Sequence, residues 1–145
     1  MQFKEMTDDA LRDAAELFTK SFNSPPWNDR WSEEKAFQRL SAMAHAEKAY
    51  GLCMYDEGRL LGIVLGHREE YYDGTEFLLK EFAVNNESRG KGLGTIMMEE
   101  LRNRLKAKNI RRIVLVTLDD RRTTSFYRKQ GFEEDTNAVV MKTEL

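Results

Sequence analysis

Cysteine is nearly absent from this chain of 145 residues: Cys53 stands alone, so no intramolecular disulfide can form. With only His45 and His67 beside it, no ligand set of the structural-zinc type is available, and no metal is expected. Proline occurs twice, at the adjacent Pro25 and Pro26, and no Ser/Gly-rich stretch or internal repeat interrupts the chain. One domain spanning residues 1–145 is therefore expected. No charge of one sign dominates: 23 Lys and Arg face 25 Asp and Glu, for a net charge of −2, which argues against nucleic-acid or membrane-surface partners. No segment approaches the roughly 18 apolar residues of a membrane span. The N-terminal MQFKEMTDDALRDAAELF alternates charge and apolarity, unlike a signal peptide, so a cytoplasmic location is expected.

What is present is a clear alternation of periods. A short strand over Gln2 to Met6 precedes a helix that Thr7 can cap, with Leu11, Ala14, Ala15 and Phe18 on one face. Ser21 to Trp31 reads as an exposed aromatic loop, and Ser32 followed by Glu33 and Glu34 restarts a helix carrying Phe37, Leu40 and Ala44. From Lys48 the period becomes two: Tyr50, Leu52 and Met54 lead through the Asp56-Glu57-Gly58 turn into Arg59 to His67. A third strand, Glu76 to Val84, follows the Tyr72-Asp73-Gly74 turn. Ile96 to Lys106 is an amphipathic helix, Arg112 to Leu118 a strand apolar enough for burial on both faces, and Thr123 to Gln130 a short helix ending at Gly131. With Asn137 as a turn the tail supplies two last strands. The expected fold is α/β of the α+β type: a mixed, mostly antiparallel sheet of about seven strands flanked by four helices.

The segment Val84-Asn85-Asn86-Glu87-Ser88-Arg89-Gly90-Lys91-Gly92-Leu93-Gly94-Thr95 runs from a strand through glycines into a helix N-terminus. Such a junction presents unpaired N–H groups and the positive end of the helix dipole, which suits phosphate. A dinucleotide fingerprint fails on spacing, because Gly90-x-Gly92 is followed by Thr95 and Gly92-x-Gly94 by Met97. A P-loop fails as well, because Gly90-Lys91 is preceded by Asn85 where glycine is required and followed by Gly92 instead of Ser or Thr. A glycine turn that merely separates strand from helix is the plain alternative.

The pattern Arg89-x-x-Gly92-x-Gly94, after the strand end Lys80-Glu81-Phe82-Ala83-Val84, resembles the acyl-CoA loop of the GNAT superfamily of N-acetyltransferases. Phe126-Tyr127-Arg128-Lys129-Gln130-Gly131-Phe132 is similar to that family's F-Y-x-x-x-G-F segment, and the strand Ile113 to Leu118 falls between the two. The resemblance implies a GNAT domain whose sheet splays after Val84 to hold acetyl-CoA as cosubstrate. It places the pantetheine arm along Phe82, Ala83 and Val84, and the pyrophosphate on Arg89, Gly90, Lys91, Gly92, Leu93, Gly94 and Thr95. Family members often carry Asn seven residues before the tyrosine and Ala four before it. Here Asp120 and Thr123 stand at those positions, and Asp120 can accept a hydrogen bond from the pantetheine arm but offers no amide donor.

Acetyl transfer from a thioester to an amine needs a neutral amine, stabilisation of the oxyanion and a proton for the departing thiolate. The resemblance implies Tyr127 as general acid, the alternative being an aromatic packed on the strand. Glu81 is the first choice of base, the alternatives being a structural ion pair for Glu81 and, for the base, Glu76 or His67. Trp27 and Trp31, with Asp29, lie in the loop that borders the acceptor groove in the family. Tyr71, Tyr72 and Glu76, with Glu69, Glu70 and Asp73, form an acidic aromatic rim, and acid plus aromatic suits a cationic amine. The expected activity is transfer of acetyl to a primary amine of a small molecule, such as an aminoglycoside or polyamine, by direct attack in a ternary complex. A protein N-terminal or lysine acetyltransferase and a non-catalytic acyl-CoA-binding module stay open as alternatives. A homodimer joined through C-terminal strands is implied by the resemblance.

Overall fold

The structure, a computed structural model, describes residues 1–88 and 90–145. β1 (Gln2–Glu5) leads through a single 3-10 turn into α1 (Leu11–Phe22) and α2 (Glu33–Ala44). Next come the meander β2 (Ala49–Asp56), β3 (Arg59–Tyr71) and β4 (Gly74–Val84), then α3 (Leu93–Ala107), β5 (Ile110–Leu115) and α4 (Arg121–Lys129). The strands form one sheet in the order β1-β2-β3-β4-β5, antiparallel except for the parallel β4–β5 pair. One core layer lies between the sheet and the α1/α2 pair, built on Ala14, Phe18, Ala36, Leu40, Ile63 and Leu65. The other lies under α3, built on Leu52, Val64, Phe77, Met97, Met98 and Leu101.

Local chemistry explains the helix starts. The Ser32 hydroxyl accepts from Lys35 N at 3.1 Å, and Glu33 and Glu34 occupy the first turn of α2, as the sequence predicts. Thr7 makes no side-chain cap, and a 3-10 turn over Asp8–Ala10 delays the start of α1 to Leu11. Asp120 takes the N-cap of α4, accepting from Arg122 N at 3.1 Å and Thr123 N at 3.4 Å.

One extra residue in β4 decides what its second half faces. Leu65 pairs with Glu81 while Gly66 pairs with Leu79, so Lys80 has no opposite number and forms a β-bulge. A bulge of one residue turns the rest of a strand over, because side chains alternate with a period of two. Phe77 and Leu79 therefore pack toward α3, whereas Ala83, at the same parity, packs with the α1/α2 layer, and Glu81 meets Arg39 of α2. Gly66, opposite this bulge, has no room for a side chain. A Cβ there would sit 2.3 Å from the Leu78 carbonyl oxygen and 2.6 Å from the Phe77 ring. Gly66→Ala is expected to cost about 3 kcal/mol by overpacking, lowering Tm by roughly 6–12 °C for a chain of this size, as read by circular dichroism melting.

Two expectations are corrected. Five strands are formed among the described residues, not about seven, and the tail beyond Phe132 is irregular, with Val139, Val140 and Met141 exposed. The Asn137 turn does form, with Asn137 N donating to Asp135 Oδ1 at 2.9 Å. The ion pair of Arg128 with Glu134 keeps the start of the tail beside α4, and among the described residues no strand pairs with the chain beyond it. In consequence β5 ends at Leu115 and is not buried on both faces: Val114, Val116 and Leu118 are exposed. The Ser21–Trp31 segment is also less open than its polarity suggests. Trp31 packs on Phe18 at 5.1 Å and Trp27 on Phe22 at 4.9 Å between ring centres.

Candidate functional site

β4 and β5 pair only from Thr75–Ile110 to Leu79–Leu115, after which β4 runs on from Lys80 to Val84 paired with β3 alone. One edge of that last stretch therefore faces no strand, and its peptide groups line open space. Two cavities flank it. The first, about 440 Å3, is walled by the glycine turn together with Phe82, Ala83, Val84 and Phe126. The second, about 300 Å3, is walled by Phe18, Trp31, Arg39 and Glu81 and by the chain after β5. Trp27, Phe82 and Tyr127 belong to both, so the cavities meet at these three aromatic residues.

The glycine turn has the form an anion requires. Gly90 and Gly92 adopt positive φ, at 81° and 75°, and a Cβ at either would point into empty space. Gly92 is also the N-cap of α3 and makes no side-chain cap, which leaves the first-turn N–H groups of this helix without a side-chain acceptor. Gly94 differs, because a Cβ there would meet the Phe126 ring at 2.9 Å. The glycine is what allows α3 and α4 to touch. Leu93 and Thr95 line the first cavity with the glycines, and Lys91 beside them is exposed. Arg89, expected on this turn, lies outside the described residues.

Tyr127 stands on α4 in a cluster of rings, with Phe126 at 5.1 Å, Phe132 at 5.5 Å and Phe82 at 6.4 Å. Burial, and next the Glu81 carboxylate, push its phenol up to about 12, so it keeps its proton throughout the physiological range. Glu81 is 6% exposed and accepts from Arg39 Nε at 2.7 Å. Burial pushes its carboxyl above the usual carboxylate range, and Arg39 pulls the other way. The structural ion pair open to Glu81 is formed, and its partner is Arg39, whose guanidinium lies 5.5 Å from the Trp31 ring centre. No sequence signal joins Arg39 to Glu81, because the contact spans 42 residues and depends on the bulge at Lys80.

The other expected residues divide. Trp27 and Trp31 line the second cavity, with Asp29 accepting from Trp31 Nε1 at 3.2 Å. Tyr71, Tyr72 and Glu76 are not brought there: they lie at the β3–β4 turn, where Glu76 accepts from Arg112 Nη1 at 2.8 Å and Tyr72 is 90% exposed. Asp73 shares Arg112, and the neighbouring Glu70 accepts from Thr75. His67, on β3 opposite Leu78, lines neither cavity. The Asp120 side chain is taken up in capping α4, so it is oriented by helix N–H groups. Cys53 is buried, and burial raises its thiol to about 11, which deprives it of thiolate character. Among the described residues no group of three or more metal-ligating side chains converges, and no helix is long and apolar enough to cross a membrane.

Comparison with known proteins points the same way. Residues 11–132 match the Acetyltransferase (GNAT) family. An uncharacterized protein of Bacillus subtilis, YxbD, is 29% identical over 87 residues, a match covering 59% of this chain and 50% of that protein's length. The chain superposes on a possible acetyltransferase of Clostridium difficile with a TM-score of 0.83 at 14% identity, covering 99% of this chain and 97% of that one. It superposes on an aminoglycoside 6'-N-acetyltransferase of Acinetobacter haemolyticus with a TM-score of 0.77 at 20% identity, covering 100% and 99%. At these identities the likeness concerns the fold.

Proposed function

Because the chain belongs to the GNAT acetyltransferase family, we propose that it transfers an acetyl group from acetyl-CoA to the primary amine of a small molecule held in the second cavity. The observation that carries this reading is the meeting of two cavities at Trp27, Phe82 and Tyr127, one bordered by an open glycine turn and the other by a buried carboxylate. The N–H groups of the Gly90–Thr95 turn and of the first turn of α3 hold the pyrophosphate. The unpaired edge of β4 over Phe82, Ala83 and Val84 holds the pantetheine arm and donates to the carbonyl that becomes an oxyanion. Acetyl-CoA supplies the activated acyl carbon.

Glu81 takes the proton that the acceptor ammonium must lose before attack. Its raised proton affinity brings it closer to the pH at which an amine must be deprotonated. Tyr127 lines both cavities, and among the described residues none hydrogen-bonds to its Oη. Complete transfer from a phenol at about 12 to a thiolate, whose free pKa is about 8.5, is uphill. Tyr127 therefore acts as a hydrogen-bond donor that stabilises charge developing on sulfur, and the net proton originates from the acceptor.

The test is thermal unfolding with acetyl-CoA, CoA, NAD and ATP at matched concentrations, followed by thiol release across an amine panel. A ligand at about 100 times its dissociation constant stabilises by about 2.7 kcal/mol. Stabilisation by the CoA ligands alone is the expected outcome. Equal response to ATP or NAD, or no response, would leave the glycine turn without its assigned ligand.

A further inference from the structure

The second cavity contains two acids and two cations, and they are not equally engaged. Glu81 accepts from Arg39 Nε and Asp29 from the Trp31 indole. On the basic side, Arg39 uses only Nε, so Nη1 and Nη2 have no hydrogen-bond partner among the described residues. Lys80, exposed at the bulge and lining the same cavity, makes no direct ion pair among them, although its charge is felt by the Glu81 carboxyl. Resting near the Trp31 ring, Arg39 presents a guanidinium whose free end can take two oxygens side by side. A polycation entering here would meet two positive groups. Of the acids that favoured a cationic acceptor on sequence grounds, Asp29 lines this cavity, whereas Glu69, Glu70, Asp73 and Glu76 lie at the β3–β4 turn and line no part of it.

We propose that the acceptor is a small amine that also carries a carboxylate, an amino-acid-like zwitterion, with its carboxylate on the Nη1/Nη2 end of Arg39 and near Lys80. This rests on the acetyltransferase reading above. The amine end then lies toward Glu81, Asp29 and Tyr127, where the shared aromatic residues adjoin the first cavity. The cavity's volume of about 300 Å3 stands at the low end for small-molecule sites, which suits an acceptor of this size. Arg39 is thereby a specificity-determining residue as well as the partner of Glu81.

The experiment compares CoA release from acetyl-CoA with amino acids of varied amine-to-carboxylate spacing, each paired with its carboxamide. In the best pair the acid is expected to exceed the amide at least tenfold in kcat/KM. In Arg39→Gln that ratio is expected to fall toward one. The ratio within a variant cancels whatever the substitution does to Glu81, which acts on both members of a pair. Should Arg39→Gln fail to fold, Lys80→Gln at the exposed bulge position carries the same readout, with a several-fold fall expected. Amides equal to acids in every pair, or a ratio unchanged in the variant, would overturn the proposal. So would a panel in which no member is acetylated. If acetyl-CoA still raises Tm in that last case, the carboxylate subsite alone falls; if it does not, the acetyltransferase reading falls with it.

Discussion

Tyr127→Phe is expected to lower kcat about 100-fold while leaving the KM for acetyl-CoA within a factor of a few. The substitution removes one oxygen and keeps the ring that packs on Phe126, Phe132 and Phe82. A single preorganised donor aimed at developing charge accounts for about 100- to 1,000-fold in rate. Because none of the described residues hydrogen-bonds to Oη, its loss strands no acceptor among them, and Tm should stay within about 2 °C. The pH profile separates this role from full proton donation. A phenol at about 12 produces no alkaline limb in the assay range, so a wild-type limb near pH 8 to 9 that vanished in the variant would contradict the donor role. Equal kcat in wild type and variant would return Tyr127 to a packing residue.

Glu81→Gln is expected to lower kcat/KM by about 100-fold or more and to abolish the acid limb of its pH profile. In the wild type that limb lies above the ordinary glutamate value of about 4.3, because burial raises the Glu81 carboxyl more than Arg39 lowers it. The basic form exists above this raised value, so activity rises with pH through it. Stability runs in the opposite direction. The folded protein holds this proton more tightly than the unfolded chain, so between the two values the folded state binds more protons and stability falls as pH rises. Tm against pH should therefore slope less steeply downward in Glu81→Gln across that window. The amide keeps an oxygen for Arg39 Nε, which spares the contact at 2.7 Å. A variant with an unchanged acid limb would move the base elsewhere.

Most of the fold was legible because periods in this chain change abruptly. The α2 cap at Ser32, the β2–β3 hairpin turn at Asp56–Gly58 and the glycine run into α3 each have a local physical cause. Boundaries drifted where that cause was weaker: β3 continues to Tyr71 through charged residues, and α4 starts at Arg121 because Asp120 caps it. The tail strands failed for a different reason. Val139, Val140 and Met141 have strand-forming composition, yet pairing is a tertiary matter and among the described residues no strand edge meets them.

The site itself was legible in halves. Trp27, Phe82, the glycines and Tyr127 line one cavity, the grouping that the family resemblance implied. Glu81 was singled out, but its partner was hidden, since period-two reasoning puts residues 77, 79, 81 and 83 on one face and only the bulge at Lys80 divides them. Tyr71, Tyr72 and Glu76 look adjacent to the site along β4. They are carried away by the length of the β3–β4 hairpin, whose turn stands at the N-terminal end of β4 while the cavities lie at the other.

The contact of Gly94 with the Phe126 ring ties two machine parts that are usually thought of separately. The residue next to Phe126 is Tyr127, the donor proposed above, and the backbone just before Gly94 forms the glycine turn. The two segments meet directly at the Phe126 ring, with no Gly94 side chain between them. On the proposed reading, a clasp for the nucleotide end of the donor and a tip that meets its sulfur are two ends of one linkage, so that an imperfect grip at the first is felt as a misaligned stroke at the second.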